Sequence, residues 1–417
     1  MRIRLGDSIL KAHAKHEFSQ AGEAIDVEVD LMLCDDLATA RAIELFAQMD
    51  GKTPVNRDKI VITNEHFTPP STLDSAQLQN IIRLKAREWG LTHYHELGRS
   101  GVGPVVALAD GLIKPGMLVV GTNPITGALG GLGCYATAIG AGDMAALWRK
   151  GFIHLLVPQT ARILLRGKKP DSVDAVDIAL TVLAKVQDFH DFQSFEFEGD
   201  SALNLSVDER MEIAYLITES GMINAIIPPS ANLYRQLNLP VETNLAHEES
   251  EMDFINDFEI DLDSIKPMIA PSVGDSSILP VEDLKETPVD LVVIGGGMSG
   301  TYKNLQEIDS VFQDRKLSDK VRMVIYPASS NVYYQAIRSG IIERFINAGI
   351  LVCAPGRGIE GYGNNGITTR GERVLINGSL NHEGIIGDIN TEVYVTGNKT
   401  CAASAIAGKV ITASELD

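Results

Sequence analysis

The chain has 417 residues, more than one ordinary core accommodates, so its length predicts two or three domains. Its 55 acidic residues outnumber its 36 basic ones, and the resulting net charge of −19 disfavours binding to nucleic acid or to an anionic membrane surface. The four cysteines are at least 48 positions apart in the sequence, so they form neither a metal finger nor a disulfide framework. Reduced thiols and an N-terminus without an apolar leader predict a cytoplasmic protein.

Short β-branched runs alternate with longer helical stretches along the chain, which is typical of parallel α/β layers. The predicted strands are Lys59–Thr63, Met117–Gly121, Ile223–Ile227, Asp290–Ile294, Arg322–Tyr326 and Gly349–Cys353. The predicted helices are Asp36–Met49, Ser71–Trp89, Val173–Gln187, Asp208–Ser220, Ser330–Ala348 and Thr400–Ala407.

Two segments stand out for their charge. Residues 115–142 carry no charge and are long enough to span a bilayer, but Pro124 and eight glycines instead predict tight turns and a closely packed helix inside a soluble protein. Residues 248–263 contain eight acids and no Lys or Arg. This acid-rich segment is predicted to be a solvated connector near a domain junction.

The first candidate for chemistry is residues 64–67 (NEHF), which follow a predicted strand. A histidine at the end of a strand can act as a general acid or base when a carboxylate orients it. Adjacent side chains on a strand point to opposite faces, however, so Glu65 need not touch His66, and a purely structural histidine is the competing interpretation. His93 and His95 could face one metal ion, but the pattern offers no third ligand.

Two glycine-rich turns end later strands. Residues 295–300 satisfy GxGxxG between a predicted strand and a helix. The next strand ends in Tyr-Pro and lacks the acid that would hold a ribose, so this turn favours anion binding by backbone N–H groups over a dinucleotide site. The second turn, residues 353–366, presents Arg357 and Glu360, but the local pattern alone favours an ordinary surface loop over a site.

Several blocks of the chain, taken in order, resemble the aconitase superfamily, most closely the large subunit of archaeal-type 3-isopropylmalate dehydratase and homoaconitase. These blocks are VDLMLCDDLATA, NEHFTPP, PGMLVVGTNPIT, SVDERMEIAYLITESG and EVYVTGNKTCAASAIAGKV. The resemblance implies an α/β, aconitase-like three-domain α/β/α sandwich, with domains at 1–156, 157–285 and 286–417. It also implies a separate small subunit that supplies the swivelling fourth domain and completes the cleft.

Members of that family bind a [4Fe-4S] cluster through three cysteines, one in a GSCTN turn and two in a CGPC turn. The matching positions in this chain are Gly297, Arg357 and Glu360, and none of them can supply a thiolate. Cys353 cannot hold a cluster alone. The sequence therefore predicts that no [4Fe-4S] cluster is bound, and it leaves open either no cofactor or a divalent metal held by Glu360 and His382.

The substrate motifs of the family are altered as well. Its DSHT reads NPIT at residues 123–126, and the arginines that clamp carboxylates become Leu380 and Ile385. The resemblance implies catalytic roles for His66, Glu65 and Glu219. The residues that it implies for substrate binding are Arg357, Asn123, Asp36, Gly297, Ser299 and Asn381.

Two functions are open at this point. The first is a cluster-free hydro-lyase or isomerase for a small carboxylated metabolite, in which His66 or Glu219 abstracts a proton and Arg357 binds the anion. The second is a non-catalytic subunit that binds a ligand, regulates or serves as a scaffold. It is favoured by the simultaneous loss of several substrate-binding positions, and neither function involves nucleic acid or a membrane.

Overall fold

The structure, a computed structural model, describes residues 4–189, 193–241, 253–271, 277–358, 368–379 and 386–416. Its strands are β1 Ala24–Val27, β2 Leu31–Asp35, β3 Ile60–Thr63, β4 His93–His95, β5 Leu118–Gly121, β6 Tyr135–Ala138, β7 Ile153–Leu156, β8 Thr160–Arg166, β9 Ser194–Glu198, β10 Asn224–Ile226, β11 Asp257–Asp261, β12 Met268–Pro271, β13 Leu279–Pro280, β14 Leu291–Ile294, β15 Arg322–Ile325, β16 Leu351–Val352, β17 Arg373–Ile376 and β18 Glu392–Thr396. Its α-helices are α1 Leu5–His13, α2 Thr39–Gln48, α3 Leu73–Trp89, α4 Gly103–Ala109, α5 Ala141–Lys150, α6 Ala175–Val186, α7 Asp200–Asn204, α8 Val207–Glu219, α9 Ala231–Gln236, α10 Tyr302–Phe312, α11 Ser330–Arg338, α12 Ile341–Ala348 and α13 Asn398–Ala407. Within the described ranges, no helix combines the length and the apolar character needed to cross a bilayer.

The first sheet consists of five parallel strands in the order β4-β3-β2-β5-β6. The chain steps outward from β2 through β3 to β4 and then returns to the other side of β2 with β5. Such a reversal leaves a crevice at the carboxyl ends of β2 and β5, which is where open parallel sheets bind ligands. We call it the first crevice.

The second sheet has four parallel strands in the order β10-β9-β8-β11. Its edge strand β11 lies within the acid-rich segment that the sequence predicted to be a connector. The acids of β11 are exposed while Phe258 and Ile260 are buried, so alternation of burial decides the structure of this stretch in spite of its charge.

The third sheet has seven strands in the order β13-β12-β18-β17-β14-β15-β16. Strands β14 to β18 run parallel, and β12 pairs antiparallel with both β18 and β13. The strand order reverses between β14 and β17. A second crevice therefore lies at the carboxyl ends of these two strands.

The α/β class and the six strands predicted from the sequence are confirmed, with each predicted end within two residues of the observed one. The prediction of a single helix over Ser330–Ala348 is wrong. Gly340, with φ 76°, separates α11 from α12. This left-handed backbone is accessible to glycine without strain and it ends a helix.

The uncharged stretch 115–142 contains β5, β6 and a buried 3-10 helix, Pro124–Leu132, which packs against α8. A Cβ atom added to Gly127, Gly130 or Gly131 would lie 2.2 Å from an atom of α8 or β10. The backbone of the 3-10 helix therefore touches its neighbours directly, as predicted for a closely packed interior segment.

Arg210 in α8 secures this packing from a fully buried position. Its guanidinium donates, at 2.9–3.4 Å, to the carbonyl groups of Leu203, Leu205, Gly131, Ile227 and Pro228. Burial lowers the pKa of Arg210 to about 10, so the side chain remains charged at neutral pH.

Glu209 links α8 to α10. Its Oε1 lies 3.1 Å from Lys303 Nζ, and its Oε2 accepts from the Ser206 backbone N–H at 2.9 Å and from Ser206 Oγ at 2.6 Å. Burial would raise the pKa of Glu209, but the Lys303 charge and the Ser206 hydrogen bonds outweigh it and lower the pKa to about 2, from 4.5. Because the folded-state pKa is depressed, the carboxylate stabilises the fold above about pH 4.5, and this stabilisation is lost as the pH falls towards 2.

The Glu209→Gln variant is expected to lower the free energy of unfolding by about 3 kcal/mol at neutral pH, and by progressively less as the pH is lowered below about 4.5. Urea unfolding at neutral and at acidic pH measures both values. The control is Glu44→Gln, since Glu44 pairs with Arg41 on an exposed surface and its loss should cost less than about 1 kcal/mol. A cost at Glu209 that does not change with pH would contradict this account.

Candidate active site

The first crevice collects polar residues from three neighbouring strands. Asp35 ends β2, Glu65 and His66 follow β3, and Asn123 follows β5. A small cavity with room for about one water molecule is lined by Asp35, Glu65 and Asn123, among others. The structure thus brings predicted site residues from separate strands to one place.

Asp36 is the centre of the hydrogen bonds at this crevice. Its Oδ1 accepts from the backbone N–H groups of Glu65 at 3.2 Å and His66 at 2.9 Å, and from His66 Nδ1 at 3.0 Å. Its Oδ2 accepts from the Phe67 N–H at 3.1 Å and from Gln79 Nε2 at 3.0 Å. Asp36 therefore orients the imidazole through Nδ1, which leaves Nε2 as the ring atom available for chemistry. We call Asp36, Glu65 and His66 the Asp36 group.

Burial and hydrogen bonding move the three pKa values of the Asp36 group apart. Burial would raise the pKa of Asp36, but the hydrogen bonds and charge of His66 lower it to about 2. Burial would lower the pKa of His66, but the hydrogen bond to Asp36 and the neighbouring carboxylates raise it to about 9. Burial raises the pKa of Glu65 to about 7, although the charges of His66 and Arg357 oppose it. At neutral pH, a protonated imidazole therefore lies beside a carboxyl group that can gain or lose a proton.

The two carboxylate oxygens of Glu65 differ in their hydrogen bonding. Its Oε2 accepts from Thr63 Oγ1 at 3.1 Å and from the Gly103 N–H at 2.6 Å. Its Oε1 is buried and has no hydrogen-bond partner among the described residues. Buried carboxylate oxygens normally accept a hydrogen bond, so Glu65 Oε1 is a candidate atom for contact with a ligand.

Arg357 reaches the Asp36 group from the third sheet. Its backbone N–H donates to the Glu65 carbonyl at 2.7 Å, and the Gly356 N–H donates to the Pro327 carbonyl at 3.0 Å. The Arg357 side chain is 4% exposed. The turn after β16 thus packs onto the first crevice and brings a buried guanidinium close to the carboxylates there.

The second crevice contains Ser299, whose Oγ lies 2.6 Å from both Glu212 Oε1 and the Asn377 carbonyl. Burial raises the pKa of Glu212 well above its usual value. A protonated Glu212 can donate to Ser299 while Ser299 donates to Asn377, so that each hydrogen has one acceptor. Ser299, predicted to bind substrate, is fully engaged in this buried chain of hydrogen bonds.

Gly297 and Glu219 also lie at the second crevice. A Cβ atom at Gly297 would lie 2.2 Å from the Gly378 carbonyl oxygen and 2.4 Å from Tyr215 Cε1, so this turn as it stands has no room for a cysteine side chain. Glu219, at the end of α8, accepts from Ser379 Oγ at 3.2 Å. Within the described part of the chain, Glu219 makes no hydrogen bond to the Asp36 group. Glu360, Asn381 and His382 lie outside the described residues.

The cysteines do not come together. Cys34, Cys134 and Cys401 are buried in three separate hydrophobic clusters, and Cys353 is partly exposed. Burial raises the pKa of each of the three buried thiols. The thiols are thus placed as core residues, and together with the crowded turn at Gly297 they do not fit the three-cysteine requirement of a [4Fe-4S] cluster.

Three residues of these crevices were not singled out from the sequence: Asp35, Gln79 and Glu212. A signal for Asp35 existed, because two consecutive acids at the end of a buried strand are costly unless they bind something. Gln79 and Glu212 lie within helices among other polar residues, and no local pattern distinguishes them.

The sequence matches one known family and curated relatives over nearly its whole length. Residues 7–283 and 279–408 match the Aconitase family (aconitate hydratase). The chain is 31% identical over 419 residues to the 3-isopropylmalate dehydratase large subunit of Moorella thermoacetica, covering 100% of both chains. It is 32% identical over 420 residues to that of Caldicellulosiruptor saccharolyticus, covering 99% of this chain and 97% of the relative. Among solved structures, it is similar to the holo-form of aconitase X from Thermococcus kodakaraensis, with TM-score 0.49, 13% identity and coverage of 90% of this chain and 86% of that one.

Proposed function

The chain belongs to the aconitase family, and from that premise we propose that it is the large subunit of a two-subunit hydro-lyase or isomerase that acts on a small carboxylated metabolite without an iron–sulfur cluster. The observation that carries this proposal is the Asp36 group, which places an oriented, protonated imidazole beside a titratable carboxyl group. The names of the relatives support a partner small subunit. The free cysteines are compatible with a cytoplasmic location.

Elimination of water from a hydroxy acid needs a proton for the departing hydroxyl group and a base for the carbon acid. His66, protonated at neutral pH, is suited to donate from Nε2, and Asp36 stabilises the imidazole before and after the transfer. Glu65, whose pKa is about 7, is suited to accept a proton. Glu219, from the second crevice, is an alternative base if the substrate reaches across both crevices.

Arg357 is the group that we assign to the substrate carboxylate. Its guanidinium is permanently charged, and its position beside Glu65 brings that charge to the Asp36 group. A planar guanidinium binds a carboxylate with two parallel hydrogen bonds, which a point charge cannot do. Asn123, at the rim of the cavity, is positioned to add a further polar contact.

The cluster-free part of the proposal is supported by residue chemistry. The family's three ligand positions are occupied by Gly297, Arg357 and Glu360, and the Gly297 turn has no room for a longer side chain. Acid-labile sulfide and iron measured on anaerobically purified protein should therefore be absent at cluster stoichiometry. Their presence at that stoichiometry would overturn this part of the proposal.

The activity itself is tested with the chain co-expressed with an aconitase-type small subunit and supplied with 3-isopropylmalate, the compound named for its relatives, and with related small hydroxy acids. Formation of the unsaturated acid is followed by ultraviolet absorbance. We expect turnover of at least one compound, and an Arg357→Gln variant whose KM is at least about tenfold higher. The control is Arg338→Gln, an exposed residue of α11 that should leave KM unchanged. Ligand binding without turnover of any compound would favour the non-catalytic alternative.

A further inference from the structure

The geometry points to a divalent cation site formed by Asp35, Glu65 and His66 at the first crevice. Each residue offers one ligand atom, and the two carboxylate oxygens and the ring nitrogen lie within 4.8 Å of one another. All three side chains are buried. The inference goes beyond the proposed function, since it depends on the placement of these atoms and not on any reaction.

The two carboxylates are each held by hydrogen bonds to one oxygen. Asp35 Oδ1 accepts from the Leu37 N–H at 2.9 Å and the Ala38 N–H at 2.7 Å. Glu65 Oε2 is held by Thr63 and Gly103, whereas Glu65 Oε1 is buried without a partner among the described residues. Carboxylates fixed in this way lose little rotational freedom when an ion binds.

The imidazole is held in the same manner. Asp36 accepts from His66 Nδ1 at 3.0 Å and is itself anchored by Gln79 and by three backbone N–H groups. A histidine whose outer nitrogen donates to a carboxylate, and whose inner nitrogen is free to coordinate, is the usual arrangement around protein-bound metal ions. In this arrangement His66 Nε2 is the ligand atom.

The charges balance with a divalent ion present. Asp35, Asp36 and Glu65 contribute three negative charges to the crevice, and Arg357 contributes one positive charge. With His66 neutral as a ligand, an ion of charge +2 neutralises the remainder.

The ligand set indicates which ions fit. Two carboxylate oxygens and one imidazole nitrogen suit Mn²⁺, Fe²⁺ or Zn²⁺ better than Ca²⁺ or Cu⁺. Two of the three ligands, Asp35 and Glu65, line a cavity that has room for about one water molecule, which corresponds to an open site, as in catalytic metal centres. An ion there would polarise a substrate hydroxyl group, whereas the proton transfers assigned above to His66 and Glu65 belong to the ion-free chain.

The test is a titration of the metal-free full-length chain with Mn²⁺, followed by the loss of the electron paramagnetic resonance signal of free Mn²⁺. The wild type should bind a single Mn²⁺ ion per chain. Asp35→Asn and His66→Gln should weaken binding by at least about tenfold, and Asp36→Asn by roughly 10- to 100-fold through the orientation of His66. The matched control is His13→Gln. His13 also pairs with an aspartate, at 2.7 Å between its Nε2 and Asp30 Oδ2, but this pair lies outside the first crevice. The Mn²⁺ affinity of His13→Gln should therefore equal that of the wild type.

Absence of bound Mn²⁺ in the wild type, or wild-type affinity in all three variants, overturns the cation site. Thermal melts establish which variants fold, and any folded one of the three is sufficient for the comparison. The two proposals fail separately. Turnover without Mn²⁺ binding removes the cation site and retains the hydro-lyase, whereas Mn²⁺ binding without turnover does the reverse.

Discussion

The His66→Gln variant is expected to lose turnover by roughly 100- to 10,000-fold while keeping its fold. Glutamine can still donate a hydrogen bond to Asp36, and the backbone N–H of residue 66 continues to donate to Asp36 at 2.9 Å. The glutamine side chain, however, cannot exchange a proton near neutral pH or coordinate an ion as imidazole does. The loss should therefore appear in kcat, measured by steady-state kinetics on whichever small carboxylate the wild type consumes.

Two comparisons make the His66 result specific. His13→Gln removes an imidazole that also pairs with an aspartate, but at α1, so its kcat should match that of the wild type. Asp36→Asn keeps the imidazole and weakens its orientation, so it should fall between His66→Gln and the wild type. An unchanged kcat in His66→Gln would remove this residue from the chemistry.

The Arg210→Met variant is expected to lower the free energy of unfolding by about 4–5 kcal/mol, which is a large fraction of the stability of an ordinary domain. Methionine fills much of the same volume but leaves five backbone carbonyl groups without the guanidinium that satisfies them. Each buried acceptor that loses its donor costs about 1–3 kcal/mol, partly offset because the charged group no longer has to be buried. Urea unfolding at neutral pH measures the difference.

The control for Arg210 is Arg235→Met. Arg235 also donates to a backbone carbonyl, that of Ala231 at 3.3 Å, but from an exposed position, and its loss should cost less than about 1 kcal/mol. Arg210→Lys should be intermediate, since an ammonium group has three donors and a different shape. A cost below about 1 kcal/mol for Arg210→Met would mean that water replaces the guanidinium at those carbonyls.

Six of the strands were predictable because each is a short β-branched run between turn residues, which is typical of strands in parallel sheets. The break at Gly340 was missed because apolar helical periodicity continues on both sides of it, and a single glycine does not reveal its φ angle. Strand β11 was missed because acids on its exposed face hide the alternation of Phe258 and Ile260. Which face of β11 is exposed to solvent depends on the assembled sheet, and the local sequence does not reveal it.

At the site, the residues next to strand ends were within reach of the sequence, and those in helices were not. His66, Glu65 and Asp36 follow from family resemblance, and the structure places them in one hydrogen-bonded group. Gln79 lies 43 residues from Asp36 along the chain, and only the packing of α3 brings them together. Ser299 was predicted to bind substrate, but its engagement with Glu212 depends on contact between α8 and the third sheet.

The glycine contacts of the 3-10 helix have a consequence for motion. Packed elements usually slide past one another because side chains at the interface switch rotamers, which allows small displacements without loss of contact. At Gly130 and Gly131, the backbone meets the backbone of β10 and α8 directly, and there is no rotamer to switch. The first and second sheets are therefore locked together at this contact. Asn123 caps the same 3-10 helix through Oδ1, which accepts from the Ile125 N–H at 3.1 Å, so its position is tied to that contact.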